Sequence, residues 1–199
     1  MNENTFEQHY DVQTEDRSAL LGQRGCVVWF SGLSGAGKST LANALENYLL
    51  SQKRLSFVLD GDNVRRGLCA DLDFSQEGRV ENLRRVAQVA KLFADAGTVC
   101  LSAFISPLIA SRQLARSIIG EDRFMEIYVS TSLAVCEQRD TKGLYKKARA
   151  GEVKNFTGIS SPFEAPLNPD IAVDTEQTSV AEAVTQIAGL LESRSIFDV

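Results

Sequence analysis

Residues 32–39 read Gly-Leu-Ser-Gly-Ala-Gly-Lys-Ser, the spacing G-x-x-x-x-G-K-S. Those residue types in that order suit the holding of a polyphosphate. Gly32, Gly35 and Gly37 let backbone N–H groups close around phosphate oxygens, with Leu33, Ser34 and Ala36 completing the loop. Lys38 has the reach for the β- and γ-phosphates, and the Ser39 hydroxyl suits a Mg²⁺ ion carried with them. A helix opening at Lys38 adds its positive N-terminal end. An apolar strand before the loop and a helix after it set the pattern apart from a chance glycine turn, and a bound nucleoside triphosphate is expected.

Four further groups have chemical potential. Asp60-Gly61-Asp62-Asn63-Val64-Arg65-Arg66 follows the second apolar run. A carboxylate there can order Mg²⁺ and its waters or take a proton from an attacking hydroxyl, and Arg65 can pair with an anion. An Asp-Gly turn with solvated charges fits the same residues. Phe74 with Arg79, Asn82, Arg84 and Arg85 suits stacking on a base and pairing with an anion, and equally a solvated helix face. Ser106, within Ser102–Pro107, is a substrate contact, a nucleophile, or a helix-starting Ser-Pro. Lys142-Gly143-Leu144-Tyr145-Lys146-Lys147-Ala148-Arg149 offers cations to close over transferring phosphates, or a plain basic surface.

The elements that must position these groups follow from the apolar pattern. Cys26–Phe30, Ser56–Leu59, Thr98–Phe104, Phe124–Val129 and Ile171–Val173 are short apolar runs without strict alternation, as strands buried on both faces should be. Helical spacing fills Lys38–Gln52, Glu77–Ala96, Leu108–Ile119, Leu133–Arg139 and Val180–Leu191, and Gly97 stands where a C-terminal glycine is favoured. Alternation of strand and helix predicts an α/β fold, a parallel sheet covered by helices on both faces, with ligands at the carboxyl ends of the strands. The candidate residues fall just after the apolar runs. Residues 1–24 read as an N-terminal arm that folds on the body or frays, residues 25–199 as a single domain. Residues 141–169, basic and then rich in Gly, Ser and Pro, read as a lid.

Bulk properties limit the partners. The chain has 199 residues and a net charge of −5. One domain is the natural division of that length. The acidic balance excludes a general nucleic-acid binder but leaves room for a local basic pocket. Cys26, Cys69, Cys100 and Cys136 show no metal or redox spacing, and His9 is the sole histidine. Histidine acid–base chemistry is therefore not expected. No leader pattern or membrane-length apolar run is seen, so the expected location is cytoplasmic, with no membrane partner.

Taken together, the motifs resemble the adenylylsulfate kinase (APS kinase) family from about Leu21 to about Leu191. The phosphate loop is shared with many kinases. The specific blocks are Asp60–Arg65, Gly67-Leu68-Cys69, Asp71-Leu72 with Phe74-Ser75, Glu81-Asn82, Phe104–Pro107, Lys142–Arg149 and Phe156–Ile159. The resemblance implies a P-loop kinase fold and transfer of the γ-phosphoryl of ATP, with Mg²⁺, to the 3′-hydroxyl of adenosine 5′-phosphosulfate (APS). It implies ATP at Gly32–Thr40, metal at Ser39 and Asp60, and catalysis by Lys38, Asp60, Asp62 and Ser106. Acceptor contacts are implied for Asp62, Arg65, Phe74, Arg79, Asn82, Ile105, Ser106, Lys142, Leu144 and Phe163, with Phe74 and Phe163 sandwiching adenine. Ser106 is a substrate contact under direct in-line transfer, or alternatively a phosphoserine intermediate. Family members are commonly homodimers, and coupling to an ATP sulfurylase is left open. The chain departs from the family's usual pattern at Asp73, Leu108, Ile109, Ser130, Ser132, Ser160 and Phe163. Two other readings stand beside this one: a P-loop kinase for a different small acceptor, and a catalytically weak nucleotide-binding regulator. A GTPase is disfavoured, since N-K-x-D is missing.

Overall fold

The computed structural model describes residue 6 and residues 8–198. Residues 1–5 and 7 of the stretch read as an arm, and residue 199, lie outside the described residues. In chain order the elements are α1 (Thr14–Leu21), β1 (Cys26–Ser31), α2 (Lys38–Ser51), β2 (Ser56–Asp60), α3 (Gly61–Arg66), α4 (Gln76–Asp95) and β3 (Val99–Ala103). They continue with α5 (Ile109–Ile119), β4 (Phe124–Val129), α6 (Leu133–Arg139), α7 (Leu144–Arg149), β5 (Ile171–Val173) and α8 (Val180–Ser193). The five strands form one parallel sheet in the order β2-β3-β1-β4-β5.

β1 is the central strand and all six of its residues are buried. Its side chains alternate between two cores, as the two-residue period of a strand requires. Val28 and Phe30 pack with Leu41, Leu45, Ile187 and Leu191 of α2 and α8. Val27 and Trp29 face the other side, with Leu83, Val86 and Ala90 of α4 and Ala115 and Ile119 of α5. This two-sided burial explains the unbroken apolar runs.

The five predicted strands and five predicted helices are all present, three with the expected bounds and the rest within two residues of them. Three short helices go beyond those expectations. α3 forms where an Asp-Gly turn was the alternative, because the Asp60 carboxylate caps it by accepting from the Asp62 N–H at 3.0 Å. α7 lies inside the predicted lid, with Tyr145 and Ala148 buried. α1 lies inside the predicted arm. After it, the buried Gln23 amide donates to the Leu55 and Gly97 carbonyls and accepts from the Leu55 N–H, each at 2.8 Å. No helix among the described residues is long and apolar enough to cross a membrane.

The sheet order places the site. α2 leaves β1 on one face, whereas α5 leaves β3, its neighbour, on the other. A crevice therefore opens between the carboxyl ends of β1 and β3, the position where open α/β sheets take ligands. The phosphate loop lies on one side of it and Ser106 on the other.

Candidate active site

The phosphate loop owes its shape to backbone that only glycine tolerates. Gly32 has φ 145°, and a Cβ there would sit 2.5 Å from the Val129 carbonyl oxygen. Gly37 has φ 113° and precedes the first turn of α2. Residues far along the chain hold the loop from below. Thr131 and Thr175, just past the ends of β4 and β5, each donate to the Ala36 carbonyl at 3.0 Å. Arg139 donates to Thr175 Oγ1 at 2.8 Å, and the Tyr145 hydroxyl donates to the Ser34 carbonyl at 2.9 Å. These bonds take up loop carbonyls and leave the N–H groups for an anion.

Lys38 is buried, and its ammonium donates to the Leu33 carbonyl at 2.6 Å. Burial pushes its pKa down to about 8, opposed in part by the Asp60 and Asp62 charges. A cation held out of water in this way gains most from a phosphate dianion placed against it. Ser39, one residue on, donates to Asp60 Oδ2 at 2.6 Å, linking the start of α2 to the end of β2. A hydroxyl and a carboxylate oxygen so close form a hard-oxygen pair suited to Mg²⁺, which usually keeps its waters and adds phosphate oxygens. Asp62 extends from α3 and pairs with Lys142, just before α7.

Of the residues that the resemblance assigns to the acceptor, Phe74 and Arg79 line a cavity of about 220 Å³, whose walls also include Leu83, Pro107, Thr157 and Pro162. Arg79 ties α4 to the segment that follows α7. Its Nη1 donates to Thr157 Oγ1 at 2.9 Å, its Nη2 to the Asn155 carbonyl at 2.6 Å, and its Nε to the Phe74 carbonyl at 3.0 Å. Arg65 lies over the Phe74 ring, 4.3 Å from its centre, and donates to the Asp73 carbonyl at 3.0 Å. Phe74 itself is 64% exposed. Asn82, one turn beyond Arg79 on α4, is buried with its Oδ1 unpartnered. A buried polar atom without a partner is costly, and this oxygen is left able to accept a hydrogen bond.

Ser106 is buried in the left-handed region at φ 46°. Such backbone in a residue other than glycine costs on the order of 1 kcal/mol and persists only where surroundings enforce it. Trp29 Nε1 donates to Ser106 Oγ at 2.9 Å, and Arg112 Nη1 to the Ser106 carbonyl at 2.7 Å. The half-buried Ile105 accepts the Gly32 N–H at 3.2 Å, which joins the two sides of the crevice. Phe163 stacks on Tyr128 at 5.8 Å, and Leu144 packs against the main core rather than on the cavity wall.

Arg84 and Arg85 are not part of this cavity. Arg84 is held by Glu81 at 2.7 Å, and Arg85 by Glu81 at 2.9 Å and Asp71 at 2.7 Å. Two departures from the resemblance pattern have evident local roles. Asp73 accepts from the Ser75 hydroxyl at 2.5 Å, beside the cap of α4, and Ser160 Oγ accepts from the Phe156 N–H at 3.0 Å. Of the residues that the motifs did not reveal, Thr131 and Thr175 carry the clearest signal, since both follow strand ends. Arg139 carries none beyond its charge. Cations therefore gather at the carboxyl end of the sheet in a chain whose net charge is −5.

A phosphate loop at the carboxyl end of a parallel sheet, with a second cavity walled by Phe74 and Arg79, is suited to phosphoryl transfer between two bound molecules, and its class is that of the P-loop kinases. The Adenylylsulphate kinase family profile matches residues 24–174. The adenylyl-sulfate kinase of Shewanella amazonensis is 54% identical over 193 residues, covering 97% of each chain. That of Vibrio cholerae is 54% identical over 194 residues, covering 98% of this chain and 90% of the relative. A solved Mycobacterium tuberculosis APS kinase, in complex with AMPPNP and APS, aligns with a TM-score of 0.82 at 49% identity, covering 85% of this chain and 99% of that one. This chain belongs to the adenylylsulphate kinase family.

Proposed function

We propose that this chain phosphorylates the 3′-hydroxyl of APS with ATP, giving 3′-phosphoadenylyl sulfate and ADP. The observation that carries the reading is the meeting of two half-sites in one crevice. Lys38 and the Ser39–Asp60 pair form the donor half. The cavity bearing Phe74 and Arg79, with the buried Asn82 on the same helix, forms the acceptor half. An aromatic face, a guanidinium and an amide suit a nucleotide that carries an anionic tail.

In this mechanism the loop N–H groups and Lys38 hold the β- and γ-phosphates. Ser39 and Asp60 would hold Mg²⁺, which would supply charge neutralisation when bound. Asp62 accepts the proton of the 3′-hydroxyl as its oxygen bonds to the γ-phosphorus and the bond to the β-phosphate bridging oxygen breaks. Lys142, paired with Asp62, is placed to follow the developing charge when the lid closes. Ser106 contacts the acceptor, and transfer is direct. The homodimeric state and a coupling to an ATP sulfurylase rest on the family resemblance, and cytoplasmic residence on the apolar pattern of the sequence.

The test is an acceptor panel with γ-labelled ATP and Mg²⁺. APS is expected to take label with a kcat/KM at least 100-fold above adenosine or AMP. Preference for another small acceptor refutes the substrate, and binding of both nucleotides without turnover identifies a regulator instead.

A further inference from the structure

Trp29 is the only tryptophan in the chain. It is fully buried in the middle strand, with Phe104 stacked 5.8 Å away on one side and Phe124 at 5.8 Å as well. Packing alone would be served by phenylalanine there, but the indole N–H is spent on Ser106 Oγ at 2.9 Å, 77 residues along the chain. An indole N–H only donates, so the Ser106 oxygen accepts and its own proton must point elsewhere. Arg112 completes the hold. It donates to the Ser106 carbonyl and to the Glu164 carbonyl, each at 2.7 Å, while its Nε lies 2.8 Å from the buried Glu126 carboxylate. Ser106 is thus fixed from the sheet at its side chain and from α5 at its backbone, in a conformation it would not otherwise keep.

We propose that Trp29 is a positioning residue for the acceptor: by occupying one acceptor site of Ser106 Oγ, it commits the Ser106 proton to donation toward the bound acceptor. The proposal rests on the reading of Ser106 as an acceptor contact in APS phosphorylation. It also gives the central strand a part in acceptor recognition, through a hydroxyl that the strand itself does not carry. A hydroxyl free to rotate would divide its time between donating and accepting; one held by Trp29 meets an oxygen acceptor already oriented.

The experiment compares wild type with Trp29→Phe, Ser106→Ala and the double variant, using kinetics and the single indole ¹⁵N–¹H resonance. Trp29→Phe is expected to raise KM for APS roughly 5- to 15-fold, the scale of one buried hydrogen bond, and to leave KM for ATP within about twofold. Ser106→Ala, which also removes the donation to APS, should raise KM at least as much, and the double variant should be no worse than Ser106→Ala alone, because Trp29 acts only through that hydroxyl. Ser106→Ala should also move the indole proton resonance upfield. If Trp29→Phe fails to fold, 3-benzothienylalanine at position 29 keeps the ring, deletes only the N–H and must give the same KM change. A lowered melting temperature with KM for APS unchanged would overturn the proposal, as would additive effects in the double variant or an indole resonance indifferent to Ser106→Ala. Wild type with no turnover of APS would instead overturn the functional reading beneath it.

Discussion

Lys38→Met is expected to make the protein more stable and inactive. Lys38 carries its charge out of water, and burial lowers its pKa from 10.5 to about 8. The depression corresponds to about 3 kcal/mol of folding free energy lost at pH 7, on a scale of about 1.4 kcal/mol per pKa unit. Methionine keeps most of the stem without the charge, but leaves the Leu33 carbonyl without the ammonium donor that it has at 2.6 Å. That loss offsets about 1–2 kcal/mol. A net gain of about 1–2 kcal/mol remains, or roughly 2–8 °C in melting temperature for a chain of this size. The sign with pH is definite. Between the folded pKa and the unfolded pKa the unfolded state binds more protons, so wild-type stability rises as pH climbs through that window. The advantage of the variant should therefore be full below pH 8 and shrink as pH rises toward 10.5. Scanning calorimetry from pH 7 to 9.5 measures it, with phosphoryl transfer assayed alongside and expected to fall at least ~10³-fold. A variant less stable than wild type at pH 7, or a difference that does not change with pH, would refute the reasoning.

Three other perturbations separate the parts of the site. Arg79→Lys keeps a charge but loses at least two of the three bonds that tie α4 to Thr157, Asn155 and Phe74. At about 1 kcal/mol each for half-exposed groups, KM for APS should rise roughly 30-fold with little change in KM for ATP, measured by steady-state kinetics. Asp60→Asn keeps a cap for α3 but weakens the oxygen pair with Ser39. It should lower kcat about 100-fold and raise the Mg²⁺ concentration for half-maximal rate, as a metal titration would show. Arg112→Met strands the buried Glu126 carboxylate and should cost about 3–5 kcal/mol in urea unfolding. Arg112→Met with Glu126→Leu should recover the part due to the unpaired carboxylate, while the bonds to the Ser106 and Glu164 carbonyls stay lost.

The sheet was legible because β1 is buried on both faces, and burial on both faces leaves an unbroken apolar run such as Cys-Val-Val-Trp-Phe. The phosphate loop was legible because its glycines and Lys38 act locally, within one turn of chain. The helices α3 and α7 were not, since each has six residues, too few to show a period, and forms from capping at Asp60 or from the burial of Tyr145. The floor of the phosphate loop was hidden for another reason. Thr131 and Thr175 act on the Ala36 carbonyl from 95 and 139 residues away, and a backbone partner leaves no mark in a motif. Arg84 misled because spacing shows its charge, while Glu81, three residues earlier, already satisfies it. Trp29 stood in an apolar run and Ser106 in the motif after another, and the register of β1 beside β3 brings them together.

The central claim is that the acceptor hydroxyl is the 3′-hydroxyl of APS, and the direct measurement is the position of the transferred phosphate. Purified protein, γ-labelled ATP, Mg²⁺ and APS should give one labelled nucleotide from which a 3′-nucleotidase releases all the label as inorganic phosphate. Lys38→Met should give none. Label that resists the 3′-nucleotidase, or no labelled nucleotide from the wild-type protein, would contradict it.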